Sequence, residues 1–426
     1  MKHKFIYILI AASAIAATGL AQAQVPQWPS LESMKLGGDV LKRLKANLGY
    51  EQKLGLRWGE EGVRLANLLS DVEATRLSQS YLDSIVTTVV PAHLNERGYL
   101  GPIYPSGAID PHQQEGNHSL LLALEAYRDW KRDEQPATGA CIAAIESIGQ
   151  YLKVTGYSPV PSHEPALSAQ FLPDSATTAQ QHLDRCHRAM LQWQSTGRPQ
   201  WLERAQLDYY NGVGAMQQAD GGFGDLQCHT TGLAWWARQA VASAGDTIYI
   251  NHPATAVFNV GGISMLMQSW YPIEGKVQML MLADSKPMTL KFFMPSWVDG
   301  VQVVNETDGK KPYAFTIDSL GRYLTIKASF HYNELVTITF NISDHTVALR
   351  DGHIAVFHGP LQMGYTGKQP PAIALPVKLK AINTTHWKVV GTKLVLQPLY
   401  NLMSKQRPRL GTLFVNSNEN QRNKNE

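Results

Sequence analysis

The chain has only three cysteines in 426 residues, a formal charge of +3, and no long apolar run after its first two dozen residues. Each scarcity excludes something. Three is an odd number, so cysteine cannot supply a disulfide framework. It leaves at most one bridge and a free thiol, or a use such as metal binding. The lack of a later apolar run excludes a bilayer span. The small net charge argues against a nucleic-acid partner, which would need a basic footprint.

What is present begins with a leader. "MKHK", "FIYILIAASAIAATGL" and "AQAQ" give a basic start, an apolar stretch and small residues at Ala21 and Ala23. That is the pattern of a secretory signal peptide over 1–23, so the mature chain is expected to start at Gln24 and to be exported, to the periplasm or beyond. Loss of Lys2 and Lys4 brings the charge still closer to zero.

The chain changes character near residue 245. Before it, apolar residues recur at helical spacing in "SLLLALEAYRDWKR" (119–132), "CIAAIESIGQYLKV" (141–154) and "CHRAMLQWQ" (186–194). After it the period drops to two in "DTIYINHPATAVFNV", "MTLKFFMPSWV", "LVTITFNI" and "HIAVFHGPLQMGY", with turn residues between. The expectation is a helical domain over 24–244, then a β-sandwich over 245–365. A C-terminal extension (366–415) would pack on these, and a polar tail, "NSNENQRNKNE" (416–426), would be disordered.

One short stretch carries the chemistry. In "GDLQCHTTGLAWWARQ" (224–239), Cys228 and His229 stand side by side before an apolar run. Thr230 or Thr231 suits an N-cap, "GLAWWARQAVASA" suits a helix, and Gly245 suits its stop. Backbone N–H groups at a helix entry favour a thiolate, which is both a nucleophile and a zinc ligand. The other reading is that Cys228 packs as a small apolar residue and His229 is exposed. Upstream, "HLDRCHRAM" offers Asp184 and Cys186. Asp184, Cys186, Cys228 and His229 together would make a zinc set of oxygen, sulfur and nitrogen donors. Residues two apart do not share a helical face, so Asp184 would have to lie at a helix entry for that set to converge. Alternatively Asp184 is a solvated N-cap residue and Cys186 faces the core beside Leu183 and Met190. Spacing leaves both readings standing.

The region from about 160 to 365 resembles glycoside hydrolase family 127, the β-L-arabinofuranosidases. That family's signature runs "GE…DLP…ETC…TGD…YAD..ERALYN…CCPPN.AR…IYVN". This chain has "SHEPALSAQFLPDS…LDRC…TGRPQWLERAQLDYYNGV…CHTTGLAWWAR…IYIN" in the same order. Weaker matches are "KLGG" (35–38), "RGYLGPIY" (97–104) and "GPLQMGY" (359–365). The resemblance implies an α/α toroid joined to a β-sandwich. It also implies a retaining hydrolase with a cysteine nucleophile, a glutamate acid/base and a bound zinc. Carried over position by position, the acid/base falls on Glu164, and the family's zinc-binding glutamate and cysteine fall on Asp184 and Cys186. Cys228 takes the nucleophile's place, and His229 stands where the family has a second cysteine. A second register, matching "TG" at Thr231 and Gly232, would put Gln227 on the nucleophile and leave no thiolate there.

Other positions follow the family more loosely. His118, at the start of a helix, and Trp58 in "LRWGEEG" match sugar-contacting positions, and Tyr210 with Asn211 matches "YN". Each also suits an ordinary packing or capping role. Trp235, Trp236 and Cys141 read as core residues.

The departures are an aspartate for a glutamate, one cysteine fewer, and a helical part too short to close a six-hairpin ring. The toroid would then be partial, or completed by a second copy of the chain. Two functions follow. One is an exported hydrolase of arabinofuranosides or related plant glycans. The other is an inactive relative serving as a carbohydrate-binding or structural module.

Overall fold

The computed structural model describes residues 25–29, 33–54, 83–105, 107–108, 110–130, 135–157, 178–223, 233–349, 353–400 and 411–416. Helices come first and strands second. Two helices, α1 (Gly38–Leu54) and α2 (Val90–His93, entered through the π-helical turn Ile85–Val89), are followed by α3 (Pro111–Trp130) and α4 (Gln135–Val154). Then come α5 (Ala179–Thr196), α6 (Gln200–Asp208), a second π-helical turn (Tyr209–Val213), α7 (Gly214–Met216) and α8 (Leu233–Arg238). Of the three helical segments expected from periodicity, 141–154 and 186–194 lie in α4 and α5, and 119–130 lies in α3, with 131 and 132 outside the described residues.

Sequence explains α5 closely. Thr178 accepts from the Gln181 N–H, and the Gln181 side chain accepts from the Thr178 N–H, so two orphan donors of the first turn are satisfied reciprocally. Leu183, Cys186, Met190 and Trp193 recur at three and four residues and are all buried. Burial of each large apolar side chain stabilises by about 1.5–3 kcal/mol.

The strands form three sheets. The first has the order β1-β4-β5-β6-β12-β8-β9. Its members are β1 (Met34–Leu36), β4 (Ala256–Val260), β5 (Ile263–Ser269), β6 (Lys276–Met281), β8 (Val298–Asn305), β9 (Lys311–Pro312) and β12 (Leu335–Ile342). The second, β10-β11-β7-β3-β2, joins β2 (Val241–Ala244), β3 (Thr247–Ile250), β7 (Met288–Phe293), β10 (Thr316–Ile317) and β11 (Tyr323–Ala328). Their alternating buried residues, such as Met265, Met267, Val277 and Met279 against Ile248, Leu290 and Ile326, belong to one core. The α5 apolar stripe reaches into the same core, and a second cluster lies among α2, α3 and α4. Helix α1 serves both, with Leu44 in the first and Leu48 in the second.

The third sheet runs β16-β20-β14-β15-β19-β18-β17, with β13 (Asp344–Ala348) paired to β14. It takes β14 (His353–His358) and β15 (Leu361–Gly364) together with β16 (Ala372–Ile373), β17 (Leu379–Asn383), β18 (His386–Val389), β19 (Val395–Pro398) and β20 (Phe414–Asn416). Residues 353–364, expected to close a sandwich, therefore belong with the C-terminal strands.

Two boundaries differ from the sequence reading. Helix α8 ends at Arg238, and "VASA" is the strand β2, held between β3 and the Gln27 bridge to Ser243. Gly245 turns the β2–β3 hairpin with φ 60° rather than stopping a helix. The β region also recruits residues near the N-terminus, because Met34–Leu36 pairs antiparallel with Ala256–Phe258.

Candidate functional site

Cys228, His229 and the caps Thr230 and Thr231 lie outside the described residues, as do Gln227, Glu164 and Trp58. The described chain fixes the two ends of the segment that carries Cys228 and His229. Phe223 and Leu233 are both buried in the core that holds Cys186. Gly221, at φ 97°, passes so close to α1 that a Cβ there would lie 2.0 Å from the Ala46 carbonyl oxygen. Helix α8 packs on both α5 and α1.

Asp184 and Cys186 both sit on α5, and the structure separates them. Thr178 is the N-cap, so Asp184 is in the second turn and not at the helix entry. Cys186 is 1% exposed, and its Sγ donates to the Ala205 carbonyl of α6 at 3.3 Å. Burial first, and then the nearby Asp208 carboxylate, pushes this thiol well above the ordinary cysteine range. It is a protonated core thiol beside Leu183 and Met190. Asp184, two residues earlier, is only half-buried and lies on another face. As a pair they do not fit one zinc ion. Among the described residues no group of three or more His, Cys, Asp or Glu side chains is placed to hold a metal.

The α5 residue that turns toward α8 is His187. Gln239 Nε2 donates to its Nδ1 at 3.0 Å, and its ring centroid lies 5.1 Å from that of Trp235. Burial, then Arg238 and Arg188, lowers its pKa to about 4, so it is a neutral imidazole at pH 7. Asp184 and His187 stand three apart and so share a helix face. Sequence reasoning passed over His187, although it follows Cys186 as His229 follows Cys228.

Beneath α5 lies a buried polar network that sequence reasoning also missed. His182 and Asp208 are both inaccessible, with Nδ1 2.9 Å from Oδ1, and Arg204 Nε donates to the second Asp208 oxygen at 2.7 Å. The His182 ring lies on the π-helical turn, where a Cβ at Gly212 would come within 2.2 Å of it. π-Helical turns recur at functional sites.

Tyr210 is 4% exposed and meets Tyr209, Trp236, Tyr271 and Tyr400 edge to face, so its place is in the core. Its neighbour Asn211 binds the third sheet: Nδ2 donates to the Pro360 carbonyl at 2.8 Å, and Oδ1 accepts from the Gln362 N–H at 2.8 Å. His118 is half-buried on α3, with its ring 5.2 Å from Tyr157. It belongs to a different helical layer from α5. Cys141 is buried and donates to the Leu124 carbonyl, and Trp236 is buried between Tyr209 and His252, whereas Trp235 is only partly covered.

No family profile matches the sequence, and no curated protein matches it significantly. Solved structures do. A GH127 β-arabinofuranosidase superposes with a TM-score of 0.63 over 92% of this chain and 98% of its own, at 12% identity. A glycoside hydrolase gives 0.61 over 93% and 98%, at 10% identity. The chain has the fold of glycoside hydrolase family 127. A GH127 β-L-arabinofuranosidase from Geobacillus stearothermophilus agrees, with a TM-score of 0.55 over 88% of this chain and 94% of its own, at 9% identity. The GH127 fold is thus present almost from end to end, at an identity that carries no information about individual side chains.

Proposed function

We propose that the protein is an exported glycoside hydrolase of the β-L-arabinofuranosidase kind, acting on arabinofuranosides or related plant glycans. The observation that supports it most is the GH127 fold over nine-tenths of the chain. In this reading the helices are a shortened α/α toroid and the first two sheets a β-sandwich, which agrees with the core they share.

The chemistry assigns two groups. The Cys228 thiolate attacks the anomeric carbon, a C–S bond forms as the glycosidic C–O bond breaks, and Glu164 gives its proton to the leaving oxygen. Glu164 then takes a proton from the incoming water, whose oxygen replaces sulfur and restores the thiolate. The anomeric configuration is retained after the two displacements. No step uses a metal.

The test is release of 4-nitrophenol from its β-L-arabinofuranoside by the mature chain. Cys228→Ser and Glu164→Gln are each expected to lower the rate by at least about a hundredfold. Unchanged rates in both variants would sink the assignment. A second reading, an inactive carbohydrate-binding relative, is favoured by one observation: Cys186, the position matching a zinc-binding cysteine, is committed to the core. Saturable arabinoside binding without turnover would support that reading instead.

A further inference from the structure

The net charge of the chain conceals a marked asymmetry. Between residues 352 and 418 there are eight lysines and arginines and no aspartate or glutamate, so the rest of the chain is net negative. Four of the lysines fall on the β17–β18–β19 meander. Strand periodicity sends Val377, Leu379, Trp387, Val389 and Leu396 inward, and Lys378, Lys380 and Lys388 outward, where they are exposed. Lys380 stands directly opposite Lys388 across the β17–β18 pair, and Lys378 is bonded through its carbonyl to the Val390 N–H at 2.9 Å. Lys393, in the turn before β19, is exposed as well.

Like charges placed directly opposite on a sheet are destabilising. A lysine on an edge strand commonly deters sheet-to-sheet association, which would account for β17, the sheet's edge. It does not account for Lys388 on the interior strand β18, facing Lys380. None of these lysines meets a carboxylate among the described residues. The nearest acid in the strand network, Asp344, is engaged elsewhere: its two oxygens accept from His358 Nδ1 and the Leu379 N–H, each at 2.7 Å.

We propose that the outer face of the β17–β19 meander, built on the opposed pair Lys380 and Lys388, is a docking surface for an acidic polysaccharide. The partner is a polyanion because the face carries a row of exposed point charges of one sign along paired strands. It is hydrated and not a bilayer, because the exposed apolar residues are scattered. Ile382 and Val390 sit at opposite ends of the β17–β18 pair and Val395 stands beside Lys388 on β19, so these aliphatic residues are interspersed with the lysines, and no Trp, Tyr or Phe is exposed on that face. The lack of an outward aromatic ring also disfavours single-stranded nucleic acid, which is held by stacking. The choice of a polysaccharide among polyanions rests on the glycosidase reading. It would place the arabinosides that the chain cleaves on an acidic backbone glycan.

The experiment is native gel retardation of the mature chain by embedded polygalacturonate, with neutral linear arabinan, phosphatidylglycerol vesicles and duplex DNA as separate probes. Retardation by polygalacturonate is expected at low salt and should vanish in about 0.5 M NaCl. The double variant Lys380→Gln/Lys388→Gln should weaken it about fivefold, whereas Lys327→Gln, on β11, should not. Thermal melting of each variant checks that it is folded. Retention of polygalacturonate binding in the double variant, or tighter binding to vesicles or DNA than to polygalacturonate, would overturn the proposal. Hydrolysis of the small neutral arabinoside is a separate readout: its absence counts against the glycosidase, and its retention in the double variant is expected.

Discussion

The Asn211 side chain pairs with the backbone on either side of Leu361 as another peptide would, giving a proton to Pro360 O and taking one from Gln362 N. A residue of the π-helical turn thereby clamps the β14–β15 hairpin of the third sheet. Asn117 does the same within the helical part, bonding both the carbonyl and the N–H of Leu100. Replacing Asn211 with alanine strands two buried backbone groups, so a loss of about 2–3 kcal/mol is expected. Urea unfolding followed by fluorescence measures it; a change under about 0.5 kcal/mol would mean the clamp is not structural.

Cys186 gives a second expectation. Because its thiol is buried, bonded to Ala205 O and held protonated, it should react slowly with an exposed-thiol reagent in the native chain and rapidly after denaturation. Cys186→Ser should leave the zinc content of the purified protein unchanged. Loss of stoichiometric zinc in that variant would show that α5 supplies a sulfur ligand after all.

Acid should weaken the fold. His252 is stacked on Trp236 at 3.8 Å, its Nε2 lies 2.9 Å from the Trp236 carbonyl, and burial lowers its pKa from 6.5 to about 3. The folded value is the lower one, so the unfolded chain takes up the proton first. The contribution is complete above pH 6.5 and is lost as pH falls from there toward 3. Between pH 6.5 and 5 the loss from this one group is about 1.5 kcal/mol, and His187 adds in the same direction. Tm measured across that range should fall, and His252→Gln should flatten the slope. A Tm independent of pH would refute the buried neutral histidine.

Gly212 tests the network under α5. A methyl group there would meet the His182 ring at 2.2 Å, and that ring is fixed by Asp208. Gly212→Ala is expected to cost about 1–3 kcal/mol despite the usual advantage of alanine in a helix. An unchanged denaturation midpoint would mean the His182–Asp208 pair can shift freely.

The parts of the fold readable in the sequence were those whose pattern is local. The apolar stripe Leu183, Cys186, Met190 and Trp193 announces α5, and period-two segments announce most of the β strands. "VASA" suits a helix in isolation because its residues are small, and only pairing with β3 and Gln27 makes it a strand. The three residues Met34–Leu36 alternate buried, exposed, buried but are too few to announce a strand; their partner is β4, far along the chain. At the candidate site, Asp184 and Cys186 are two apart as letters and divergent as side chains on α5. The motifs "YN" and "GPLQMGY" were separate weak matches, yet they meet through Asn211 and Gln362.

The pairing of Met34–Leu36 with Ala256–Phe258 also sets an order of events. The piece of sheet made first on the ribosome must wait for a partner more than two hundred residues later, so the seven-stranded sheet cannot be finished during early synthesis. Until it docks, the outer side of β4 is an uncapped row of amide and carbonyl groups, open to any other extended chain. The N-terminal strand therefore waits to act as a seal on β4, and a chain trimmed past Leu36 would leave that edge as a template for self-association.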